Sequence, residues 1–221
     1  MDAAKVRGLR DGDNPARWGG HLEHYLSPPK KLVRGHHRAL SYDRVGAFFQ
    51  DLRARPSVSA QALAFVILTA SRSGEVRGAR WHEIDIEGKV WTVPAERMKA
   101  RREHKIPLSG GAVRLLRRAG DAYGQEGLVF PGEKLGKPLS DAALGKVLTI
   151  MKVAGEATTH GFRSTFRDWV RDKTDHPSEV AEAALAHVVG DQTVRAYARS
   201  DVFAKRRQLM TDWANFLSMK A

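Results

Sequence analysis

Residues 160–170 read HGFRSTFRDWV, and their spacing decides the architecture around them. Phe162, Phe166, Trp169 and Val170 fall at i, i+4, i+7 and i+8, the period of a helix that buries one face. His160 and Arg163 stand three apart and share an adjoining face, and Arg167 and Arg171 extend a basic row at four-residue steps. A cationic ridge thus flanks an apolar stripe. His160 falls in the first turn, where unpaired backbone N–H groups and the positive dipole end favour an anion, and Thr158 or Thr159 can cap it. Taken by itself, the segment is equally a solvated basic face with a satisfied histidine.

The whole chain has the same electrostatic bias: 37 Lys and Arg face 25 Asp and Glu across 221 residues, a net charge of +12 spread along its length. Such a surface favours a polyanion, nucleic acid first through release of condensed counterions and an anionic membrane second. With 42% hydrophobic residues the chain buries a core unaided. The absence of cysteine excludes disulfides, thiolate catalysis and Cys-based zinc sites, and leaves the redox compartment open. The N-terminal MDAAKVRGLRDGDNPARW lacks the apolar core of a signal peptide, and no run reaches the ~20 apolar residues of a membrane span. A soluble intracellular protein is expected.

Upstream, SPPKKLVRGHHRAL at 27–40 joins prolines, a glycine and basic side chains without apolar period and reads as a linker. A boundary is placed near residue 40, with 1–40 the linker and remnant of a preceding domain, and 41–221 the main domain ending in a C-terminal helix. SYDRVGAFFQDLRAR puts Val45, Phe48, Phe49 and Leu52 on one stripe, and SAQALAFVILTAS follows as a more fully buried helix. Ser73 can cap a further short helix. IDIEGKVWTVP and HKIPLS alternate like strands, so a hairpin carries the basic segment between them. AVRLLRRAG is helical, VFPG ends a short element, and Ser140 is placed as the cap of DAALGKVLTIMKVAG. The class is mainly α with a small antiparallel sheet.

Three more residues stand out. Arg72, in LTASRSGEVRGARW, follows a buried helix and precedes a capped one, where an arginine is either a phosphate ligand or a structural bridge with Glu75 as partner. Tyr197, in TVRAYARSD, lies between Arg195 and Arg199, which would favour an approaching phosphodiester, although a lone tyrosine usually only packs. His187 ends the apolar helix before Val188, where a C-terminal dipole partner is the simpler account.

Read together, these segments resemble the tyrosine recombinases: an R-x-G-E box (Arg72), a hairpin lysine (Lys99 in RMKARREHKIPLS), an H-x-x-R helix (His160 and Arg163), a later histidine (His187) and a tyrosine soon after (Tyr197). Each box is weak alone, but the ordered set is strong. ARWHEID, ERMKARREHKIPLS and HGFRSTFRDWV look like integrases of temperate phages and genomic islands, from about residue 41 to 217. NPARW and the basic linker resemble the tail of that family's core-binding domain.

The resemblance implies a site-specific recombinase that cleaves and rejoins DNA through a 3′-phosphotyrosine, without metal or nucleotide cofactor. Arg72 and Arg163 would clamp the non-bridging oxygens, a planar bidentate task suited to guanidinium, and His187 would add a third donor. Tyr197 would attack, His160 would serve as base, and Lys99 on its hairpin would protonate the departing 5′ oxygen. Lys105 on the same hairpin competes for that role, or contacts DNA with Arg101, Arg102 and Arg167. Double-stranded attachment sites, a homotetramer on DNA, and an excisionase or host DNA-bending factor are the implied partners. A cytoplasmic, nucleoid-associated place in a bacterium is the implied location.

The C-terminal DVFAKRRQLMTDWANFL sets Val202, Phe203, Leu209, Met210, Trp213 and Phe216 at helical spacing, to be covered either by the domain's own core or by a neighbouring protomer. GEKLGKP at 132–138 is one residue short of a phosphate loop and puts proline where Ser or Thr must ligate magnesium. His21, His24, His36 and His37 are expected as surface residues. Two rival readings stay open: a type IB topoisomerase, and a DNA-binding module with the fold but no catalysis.

Overall fold

The computed structural model describes residues 2–12, 14, 16, 17, 21–26, 37–134, 136–187 and 199–219. They fall into two compact units, 1–36 and 37–221. The first holds helix α1 (Asp2–Val6) and a 3-10 turn at Leu22–His24, and none of its described residues with a placed side chain is buried.

The second unit is built on two helices. In α2 (Tyr42–Arg53), Ser41 Oγ accepts from the Asp43 amide at 3.3 Å, and Val45, Phe48, Phe49 and Leu52 are all buried. In α3 (Val58–Thr69), Ser57 Oγ takes the Ala60 amide at 3.3 Å, and burial extends around the helix, as its unbroken apolar run requires. Ala70, at φ 50° in the left-handed region, ends α3 and turns the chain toward Arg72.

Strands β1 (Ile84–Asp85), β2 (Val90–Val93) and β3 (His104–Pro107) make one antiparallel sheet in the order β1-β2-β3. Trp91 pairs with Ile106 and Val93 with His104. The alternation buries Trp91 and Val93, and the Trp91 ring packs 5.3 Å from that of Phe65 in α3. The class read from the sequence, mainly α with a small antiparallel sheet, is the one observed.

The remaining helices are α5 (Gly110–Tyr123), α6 (Ala143–Ile150), α7 (Gly161–Lys173), α8 (Ser178–Ala184) and α9 (Arg199–Ser218). Phe162, Phe166, Trp169 and Val170 of α7 are buried, as their spacing demands. In α9, Leu209, Met210 and Trp213 are buried in the unit's own core. There Trp213 lies 5.5 Å from Phe166 and 4.9 Å from Trp169, with its Nε1 donating to the Ile67 carbonyl at 2.8 Å. The chain's own core thus covers Leu209, Met210 and Trp213 of the C-terminal stripe, while Val202, Phe203 and Phe216 stay partly exposed.

Two capping expectations are corrected. Arg72, not Ser73, occupies the N-cap of α4 (Ser73–Arg77), because the Glu75 carboxylate accepts the Arg72 amide at 2.9 Å. Ser140 gives no side-chain cap to α6, which begins at Ala143 with its amide on the Ser140 carbonyl.

Residues 38–40 lie across the start of α7. The Arg38 carbonyl accepts from the Thr158 amide at 2.9 Å, the Leu40 carbonyl from Thr165 Oγ1 at 2.6 Å, and Leu40 is buried. A Cβ on Gly161 would sit 2.0 Å from the Arg38 carbonyl oxygen, so only glycine allows this approach.

Candidate active site

Arg163 is the centre of the site. Although charged, it is 4% exposed, and its guanidinium spans two element ends: Nη1 donates to the Ala70 carbonyl after α3 at 2.5 Å, and Nη2 to the Leu185 carbonyl after α8 at 2.6 Å. Nη2 also lies 3.2 Å from His187 Nε2. Desolvation, then the neighbouring guanidinium of Arg72, lowers its pKa to about 10, so it stays charged at neutral pH.

Arg72 approaches from the other side. Its Nη1 donates to Glu75 Oε1 at 2.8 Å, with the arginine side chain a quarter exposed and the carboxylate nearly buried. The partner suggested by the R-x-G-E spacing is therefore present. Arg97 fixes the same corner, donating from Nη2 to the Glu75 carbonyl at 2.8 Å and from Nη1 to the Gly78 carbonyl, and pairing with Glu83 at 3.2 Å. Arg97 precedes Lys99 by two positions, so the root of the β2–β3 connection is tied to the helix that Arg72 caps. Lys99 itself stands exposed in that connection, with Arg101 and Arg102.

His187 lies three residues past α8, its Nδ1 2.6 Å from Glu182 Oε2. Glu182 also holds Arg167 Nε at 2.7 Å. The carboxylate fixes the Nδ1 proton and aims Nε2 at Arg163. Arg167 is thus engaged with Glu182.

His160 sits at the N-cap position of α7 rather than in its first turn, and Thr158 Oγ1 accepts the Gly161 amide at 3.0 Å, the capping role expected of it. Its pKa is held below the usual histidine range, first by desolvation and then by the charges of Arg163, His37, Arg72 and His187. The neutral imidazole is the form a proton acceptor needs. His37, expected as a surface residue, is exposed and yet packs its ring 4.4 Å from that of His160.

Arg72, His160, Arg163 and His187 therefore share one electropositive cluster, with Glu75 and Glu182 as its described acids. Tyr197 lies outside the described residues, between α8 and α9. Sequence reasoning missed Glu182 and Arg97. Only Glu182 left a local signal, five residues before His187. Among the described residues no cluster of acidic and histidine side chains could hold a metal, and no helix is long and apolar enough to cross a membrane.

A mainly helical domain whose three-stranded sheet and buried arginine assemble this cluster has the fold of a tyrosine recombinase catalytic domain. The phage integrase family model matches residues 39–202. Prophage integrase IntZ of Escherichia coli K12 is 37% identical over 183 residues, covering 82% of this chain and 45% of that protein. The integrase of Enterobacteria phage P4 is 31% identical over 202 residues, 83% of this chain and 46% of that one. The chain spans about half the length of these relatives. Among solved structures, the integrase from mycobacterium phage Brujita superposes with a TM-score of 0.61 at 17% identity, over 99% of this chain and 69% of that one. A lambda integrase dimer bound to a COC′ core site gives 0.55 at 20%, over 85% and 67%. The chain belongs to the phage integrase family.

Proposed function

We propose that this chain is the catalytic part of a site-specific DNA recombinase, joining and releasing strands through a phosphotyrosine at Tyr197. The observation that carries the reading is Arg163. A buried guanidinium that no carboxylate touches among the described residues, beside Arg72 and against His187, leaves that described cluster short of negative charge, which a phosphodiester supplies.

Arg72 and Arg163 hold the non-bridging oxygens, and His187, in its doubly protonated form with Glu182 on Nδ1, adds a donor through Nε2. His160, neutral, takes the tyrosine proton. The bond from the Tyr197 oxygen to phosphorus forms as the bond to the 5′ oxygen breaks, and Lys99 gives that oxygen its proton. No external energy is needed, because the phosphotyrosine conserves the bond. Arg101, Arg102 and Lys105 contact backbone phosphates and position the duplex. A phosphate at Arg167 competes with Glu182. The DNA partners are attachment sites brought together in a homotetramer, as the relatives' names and a lambda integrase tetramer bound to a Holliday junction suggest, with an excisionase or host DNA-bending factor as accessory.

The test is a nicked DNA carrying the attachment core, incubated with the full-length protein and resolved on a denaturing gel. A DNA-linked band lost in Tyr197→Phe, with DNA affinity kept within a few fold, supports the reading. Tight binding with no band means a DNA-binding module. A band, with relaxation of a separate supercoiled plasmid but no exchange between sites, means a topoisomerase.

A further inference from the structure

The connection that carries Lys99 is pinned at both roots. Arg97 holds the first, and His104, which opens β3 opposite Val93, holds the second. His104 Nε2 lies 3.4 Å from Nη2 of Arg206 in α9, and the ring stands beside the backbone of Ala184, the last residue of α8. One side chain therefore meets the strand after Lys99, the helix that leads to His187, and the helix that begins two residues after Tyr197.

The chemistry of the contact is consistent. Burial, then the charge of Arg206, lowers His104 to about 3, so the ring is neutral, with one nitrogen donating and the other accepting. Arg206 is 7% exposed; the same Nη2 donates to the Lys105 carbonyl at 2.8 Å, and its Nε has no partner among the described residues. A buried cation beside a half-buried neutral histidine is an expensive way to fill the edge of a core. Their arrangement fits a need for fixed geometry between elements that packing alone leaves looser.

We propose that His104, braced by Arg206, is a positioning residue that registers the Lys99 hairpin against α8 and α9, so that proton donor and nucleophile keep a fixed spacing across the scissile phosphate. This rests on the roles given above to Lys99 and Tyr197.

A DNA in which sulfur replaces the scissile 5′ bridging oxygen separates the possibilities, because its thiolate departs without a proton. Cleavage by the full-length protein is measured on oxygen and sulfur substrates for the unsubstituted form, His104→Ala and Lys99→Ala. General acid catalysis contributes roughly 100-fold or more, so Lys99→Ala loses about that on oxygen DNA and recovers on sulfur DNA. His104→Ala loses at least about tenfold on oxygen DNA and recovers to within about threefold on sulfur DNA, a pattern that requires the acid step itself to be disturbed. If Lys99→Ala recovers and His104→Ala stays slow, His104 is only structural and the proposal falls while the proposed function stands. If Lys99→Ala does not recover, Lys99 is not the acid, and both assignments fall. Should His104→Ala lose its cooperative thermal transition, His104→Asn, which keeps a donor and an acceptor, carries the same comparison: slow on oxygen DNA and recovered on sulfur supports the brace, equal slowing on both overturns it.

Discussion

Arg163→Lys keeps the charge and removes the fork, so it isolates what the guanidinium does in the free protein. Arg163 joins the Ala70 and Leu185 carbonyls, which end different helices, through two nitrogens at once. An ammonium is a single point and does not bridge both. Each buried hydrogen bond left unmade costs about 1–3 kcal/mol, and the more strongly hydrated ammonium adds desolvation, giving roughly 2–4 kcal/mol in all. For a chain of this size each kcal/mol moves the melting point by about 2–4 °C, so a fall of roughly 5–15 °C is expected without DNA. Arg72→Lys is the control: Arg72 is a quarter exposed and its single ion pair to Glu75 is within reach of lysine, so under about 1 kcal/mol is lost. Both variants lose cleavage, because neither offers two coplanar donors to phosphate. Differential scanning calorimetry decides the matter. Equal melting points for the two variants, or Arg163→Lys within about 2 °C of the unsubstituted protein, would refute the claim that Arg163 also holds the site together.

Other outcomes follow from the same contacts. Glu182→Gln removes the charge that orients His187 and holds Arg167; cleavage is expected to fall about 10- to 100-fold with little change in melting, and equal loss of both would make Glu182 a folding residue instead. His104, lowered to about 3, stays neutral in the folded chain while the unfolded chain takes up a proton below about pH 6.5. Stability therefore falls on acidification, at a slope that rises toward about 1.4 kcal/mol per pH unit as the pH drops below about 6.5, His160 acting in the same direction. Denaturant titrations between pH 5 and 7 should show that slope flattened in His104→Asn, and an unchanged slope would count against the half-buried neutral ring. Trp213→Ala opens a cavity among Phe166, Trp169 and Phe216 and is expected to cost about 3–5 kcal/mol, measured by urea unfolding; a loss below about 1 kcal/mol would mean that α9 is not held by that cluster.

The helical stripe of α7 was legible because one residue type repeated at one period leaves no second solution, and Phe162, Phe166, Trp169 and Val170 are buried accordingly. The strands were legible for the same reason at period two. Arg72 and Glu75 were legible as partners because they are three apart on one helix. Arg206 and His104 were not, since they are separated by about a hundred positions and meet only through the fold. The caps at Ser73 and Ser140 failed because a serine near a helix start names a candidate, whereas the winner is set by which backbone amide points at which acceptor; at α4 a Glu75 carboxylate took the Arg72 amide. The C-terminal stripe showed in sequence that it needed a cover, but only the packing of Trp213 on Phe166, Trp169 and the Ile67 carbonyl showed which part of it the chain's own core takes.

The chain holds four tyrosines, Tyr25, Tyr42, Tyr123 and Tyr197, and the account stands on one of them. Covalent protein–DNA adduct formed on nicked DNA, digested with nuclease and trypsin and read by tandem mass spectrometry, locates the attached nucleotide directly. The account requires it on Tyr197, in the peptide Ala196–Arg199, joined through a 3′ phosphate. A nucleotide on another tyrosine or on a serine, or strand exchange proceeding with no covalent adduct at all, would contradict it.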